Sequence, residues 1–123
     1  MTFKALGLAG IGISLLTAPA LAHHSFAMFD AAQTVELSGT VKEMQWTNPH
    51  IWLQVMVADD AGEMVEWSLQ MSSPGTMARQ GWKPTTVVPG DEVTVTLHPL
   101  RDGTAGGEFL TMKLPDGSVM SRQ

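Results

Sequence analysis

The stretch Val35-Glu36-Leu37-Ser38-Gly39-Thr40-Val41-Lys42-Glu43-Met44-Gln45-Trp46 decides the fold. Val35, Leu37, Gly39 and Val41 alternate with polar partners, the period of two expected of a half-buried strand. After Glu43 the apolar parity passes to Met44 and Trp46, which predicts a bulge there. The glycine inside the run predicts a bend or a close backbone approach. A long first strand that must bend is the hallmark around which the other elements arrange themselves.

Downstream, Asn48-Pro49 interrupts the pattern, because proline fixes φ and has no N–H to donate to a ladder. Ile51, Leu53, Val55 and Val57 then mark the inner face of a second strand, with Trp52, Gln54 and Met56 on its other face. After an acidic turn at residues 59–63, Val65, Trp67, Leu69 and Met71 mark a third strand. Matching inner faces pairs Val55 with Trp67 and Leu53 with Leu69, a simple hairpin. One short helix follows, capped by Ser73, opened by Pro74 and stopped at Gly81. Val93, Val95 and Leu97 make a fourth strand, residues 99–107 a glycine-rich loop, residues 109–114 a fifth strand, and the remainder a short tail. Three strands, a helix and two strands is the element order of a five-stranded OB-like all-β barrel. An open β-sandwich is the alternative.

Upstream, residues 1–22 have the pattern of a cleavable export signal. Lys4 precedes an apolar run over residues 5–16, and residues 17–22 end in Ala-Leu-Ala, the small-residue cleavage pattern. About twelve apolar residues fall short of the ~20 needed to span a bilayer as a helix. The expected organisation is therefore a signal over residues 1–22, a leader over 23–34, and one β domain over 35–123, exported to the periplasm. Cleavage after Ala22 leaves about 101 residues, enough for one core.

Composition excludes several classes of function. Removing Lys4 with the signal leaves six basic against twelve acidic residues, a formal −6, without the basic footprint of a nucleic-acid binder. The absence of cysteine excludes disulfides, thiolate metal sites and thiol catalysis. No Gly-x-Ser-x-Gly elbow and no phosphate-cradling loop occurs, and Asp59, Asp60 and Glu63 read as solvated turn residues. No catalytic residue is expected, and an enzyme is the less favoured reading.

The histidines carry the chemistry that remains. Cleavage would make His23 the first residue, offering its α-amine and imidazole to one metal ion. Such an amine has an intrinsic pKa of about 7.7–8.0, so a bound Cu(II) displaces its proton readily. Nitrogen donors of this kind suit copper. His24, His50 and His98 are the further candidate ligands. His98 shares parity with Thr94 and Thr96 and so lies outside the core; His50 shares parity with Trp52. In an OB-like barrel the first and last connections lie on one side, which draws His50 and His98 toward one pole. Since strand one runs away from the leader, the leader is expected to start at the opposite pole, with about 35 Å of chain for a return. The methionines, eight beyond Met1, read mainly as adaptable core filler. The outward Trp52/Met56 surface, with Asn48 and Arg101 at the flanking loops, is the candidate surface for a metal-free alternative: docking of a periplasmic protein, peptide or glycan. Arg101 stands where it would meet an anionic ligand beside His98.

His23-His24-Ser25-Phe26, Trp46-Thr47-Asn48-Pro49-His50, Gly81-Trp82-Lys83-Pro84 and His98-Pro99-Leu100-Arg101-Asp102-Gly103 together resemble a family of small exported bacterial proteins of unknown function. The resemblance spans the whole mature chain and implies an exported location and one β domain. Periplasmic copper carriers of the β-sandwich type and lytic polysaccharide monooxygenases share only the terminal histidine.

Overall fold

The computed structural model describes residues 26–122. Its elements are β1 (Val35–Gln45), β2 (Trp52–Ala58), β3 (Met64–Gln70), α1 (Pro74–Arg79), β4 (Glu92–Pro99), β5 (Gly106–Lys113) and β6 (Val119–Ser121), preceded by a 3₁₀ turn over Phe26–Met28. The sheet runs β3-β2-β1-β4-β5-β6 and closes on itself through a parallel β3–β5 pairing. Closure makes this a five-stranded barrel of OB type and sets the sandwich alternative aside, because a sandwich leaves two separate sheets.

β1 makes closure possible by serving two neighbours. Its first half pairs with β4 and its second with β2, and Thr40 contacts both Met56 and Glu92. At that crossing Gly39 has no substitute: a Cβ would stand 2.3 Å from the Met56 carbonyl oxygen. The register with β2 shifts between Val41 and Glu43, one position before the parity switch seen in the sequence. The expected hairpin is present, with Val55 opposite Trp67 and Leu53 opposite Leu69.

The inner residues form the core. Ile51, Leu53, Val55, Leu69, Val95, Leu97, Phe109 and Met112 are fully buried. α1 seals one end: the Ser73 hydroxyl accepts the Thr76 N–H at 3.3 Å, and Met77 drops inward with no exposure. Trp82 follows, 1% exposed, with its ring edge-on to Phe109 at 5.5 Å and 89°. Its indole N–H donates to the Ser121 carbonyl at 2.9 Å, so the seal includes the C-terminal segment.

Three expectations need correction. β5 starts at Gly106 rather than 109. Gly106 and Gly107 are buried, and a Cβ on Gly107 would stand 2.4 Å from the His98 carbonyl. The glycine pair reads as loop by composition, yet tight strand approach demands it. The tail is not plain loop: it carries β6, paired with β5. The described part of the leader does not lie at the pole opposite His98. Val35 pairs with Leu97, because β1 is antiparallel to β4, and Phe29, 5% exposed, bridges to Leu100.

Replacing Gly39 by alanine should lower stability by about 1–3 kcal/mol through forced backbone displacement. Urea denaturation should show the midpoint falling with little change in slope.

Candidate functional site

Register assembles an outward-facing row across four strands of the barrel. His98 on β4 pairs with Glu108 on β5, Glu108 with Gln70 on β3, and Gln70 with Trp52 on β2. Neighbouring strands are ~4.8 Å apart, so His98 and Trp52 stand at opposite ends of a four-residue row. Glu108 also lines the recess that holds His50. Glu108 is thus opposite His98 in the sheet and part of the wall of the His50 recess. Among the described residues, no three His, Asp or Glu side chains cluster in a way that would hold a metal ion.

His98 is held by the leader. Its Nδ1 lies 2.8 Å from the Gln33 carbonyl oxygen. A carbonyl can only accept, so Nδ1 carries the proton and the lone pair sits on Nε2. The leader is tied down beside it: Asp30 N donates to Pro99 O at 2.8 Å and Arg101 N to Met28 O at 2.9 Å. Asp30 also accepts from the side-chain amide of Gln33 at 2.8 Å, which steadies the residue that orients His98. Arg101 is committed here, donating through Nε to Ala27 O at 3.0 Å and lying 3.7 Å from Asp30. Its described contacts are thus to the leader. In the same loop the Thr104 hydroxyl and N–H hold the Asp102 carboxyl below its usual range, stiffening the turn.

The second histidine sits in a recess of about 300 Å³ between the β1–β2 connection and the start of α1. Thr47 donates to the His50 carbonyl at 2.9 Å across the cis Asn48–Pro49 bond. The His50 Nδ1 faces the Met71 carbonyl at 2.9 Å, so it too carries the Nδ1 proton. Ser72, Ser73 and the Arg122–Glu108 ion pair complete the wall. Glu108 and Arg122 escape sequence reading because one follows a glycine pair that looks like loop and the other lies in the tail. The antiparallel β5–β6 pairing brings them together. Asn48 is exposed. Trp52 and Met56 do lie on the outer face of β2, half-buried, flanking a Gln54–Ser68 hydrogen bond of 3.1 Å. His23 and His24 lie outside the described residues.

The chain belongs to a family of unknown function (DUF6152), which matches residues 12–109. This agrees with the expectation of a family of unknown function. Neither a curated protein nor a solved structure matches the chain.

Both imidazoles should be Nδ1–H tautomers when neutral, a pattern read from long-range ¹H–¹⁵N correlations. A neutral Nε2–H tautomer on either ring would contradict the carbonyl contacts.

Proposed function

We propose that this member of the family is an exported binding protein that carries a transition-metal ion, copper first, on its mature N-terminus. Cleavage after Ala22 would present the His23 amine and imidazole together. His98 would add its Nε2 nitrogen, with His24 or His50 as further donors. The observation that carries this reading is the Nδ1–H···O=C bond from His98 to Gln33. Metal-bound histidines commonly use such a bond to fix the tautomer and aim the other nitrogen outward. The same leader that orients His98 is pinned at Ala27, four residues after His23. Four residues reach roughly 14 Å when extended, so the terminal chelate need not travel far.

The chemistry fits copper better than a hard cation. Amine and imidazole nitrogens are borderline donors, and copper heads the divalent affinity order for them. With no cysteine in the chain, an exported protein of this kind could hold Cu(II) without the thiolate oxidation that would otherwise accompany it.

The test is a Cu(II) titration of naturally exported, processed protein of confirmed mass, with the bound ion followed by EPR. One tight equivalent with nitrogen ligands is expected. A short extension ahead of His23 should weaken it about a hundredfold, and His98→Ala about tenfold, or 1.4 kcal/mol. Unchanged affinity after blocking the N-terminus would sink the chelate. The metal-free alternative, a partner held by Trp52 and Met56, would then predict binding that survives strong chelator.

A further inference from the structure

β5 begins too late to cover all of β3. Pairing joins Ser68, Leu69 and Gln70 to residues 106–108, and upstream of this the chain leaves the sheet as the loop after β4. Backbone directions along β3 follow from the hydrogen bonds at its two ends. Asp59 N donates to Glu63 O and Met71 N to Ile51 O, so the odd-numbered residues turn their peptide groups toward β2. The even-numbered ones turn outward. Ser68 N meets the Ala105 carbonyl at 3.2 Å, but Met64 and Glu66 face no strand among the described residues. Unpaired edge groups of this kind are a template for strand addition.

Beside that edge lies a cleft of about 400 Å³. Leu37, Val57, Val65 and Trp67 floor it, the loop at residues 103 and 105 forms the far wall, and Asp59 and Asp60 stand at the rim. These apolar side chains have core parity, yet Leu37, Val65 and Trp67 stay half-exposed. The opposite end of the barrel is sealed by Met77 and Trp82. Among the described residues, no lysine, arginine or histidine lines the cleft. Asp59 is fixed in place, with Oδ1 accepting the N–H groups of Ala61 and Glu63 at 2.9 Å each.

We propose that an extended basic peptide segment of a partner protein fills this slot, adding as a strand to β3 along residues 64–67. The peptide backbone pairs with Met64 and Glu66, an apolar side chain lies against Trp67, and a lysine or arginine meets Asp59 and Asp60. Backbone pairing gives affinity and the flanking pockets give selectivity, as in other strand-addition complexes. A second copy of this chain is a poor occupant. It carries a formal −5 charge, and edge-to-edge pairing would crowd like charges. This slot is separate from the histidines, so the metal-binding reading and this one stand or fall independently.

Amide hydrogen exchange on the ¹⁵N-labelled full chain tests the idea, with the capped peptide Lys-Val-Lys-Val-Lys as probe. Its glutamate counterpart and benzyltrimethylammonium serve as comparisons. The basic peptide should slow exchange at Met64 and Glu66 about tenfold or more, while the acidic peptide does nothing. Met64→Pro removes an outward N–H at an exposed edge, where proline is tolerated, and should abolish protection with Tm unchanged. Asp60→Lys, at an exposed turn, should weaken binding severalfold and keeps the test valid if the proline variant unfolds. Four results would overturn the proposal: no protection by the basic peptide, equal protection by the acidic one, shifts at Trp67 from the small cation without amide protection, or protection without peptide that grows with protein concentration.

Discussion

Three residue pairs between β3 and β5 turn a six-stranded sheet into a barrel. Everything else depends on that short parallel contact. It creates an inside and an outside, converts the alternating pattern of each strand into core and surface, and sets Glu108, already opposite His98, beside Gln70 of β3. The contact is possible only because the backbones approach closely. Gly106 sits where a Cβ would stand 2.9 Å from the Ser68 carbonyl, and Gly39 allows β1 to cross under β2. Hydrophobic burial supplies the driving force, but glycine placement decides that the sheet curls rather than lying flat.

Much of this was legible in the residues. Period-two alternation identified the inner faces of β1 to β4, and Val55, Leu53 and Leu69 are buried as their parity required. Ser73, Pro74 and Gly81 marked the helix through local chemistry that needs no tertiary context. The start of β5 was not legible, because a buried glycine pair and a loop glycine pair look alike without the partner strand. β6 was missed because three residues show no period. The leader was misplaced because its docking depends on the antiparallel relation of β1 to β4, a tertiary fact.

The site shows a sharper divide. Parity correctly put His98 and Trp52 outside the core, but His98 lies by the start of β1 and Trp52 by its end. Parity could not supply what orients the histidines. The carbonyls of Gln33 and Met71 come from distant parts of the chain, and the Arg122–Glu108 pair joins the tail to a strand. Arg101 illustrates the difficulty: the sequence shows a cation beside a histidine, but not that its Nε donates to the leader carbonyl of Ala27.

The leader's docking has a thermodynamic meaning of its own. Residues 27–33 are held by a few surface hydrogen bonds and one buried ring, Phe29, whereas the barrel is held by continuous ladders and a shared core. Two such parts need not melt together, since local openings draw on the weakest contacts first. The arm can undock while the barrel stays closed, and the bond that orients His98 breaks with it. The direction in which that imidazole points is therefore coupled to an equilibrium in the first described residues. Anything that captures or releases the arm changes how the ring is presented, without any rearrangement of the strands.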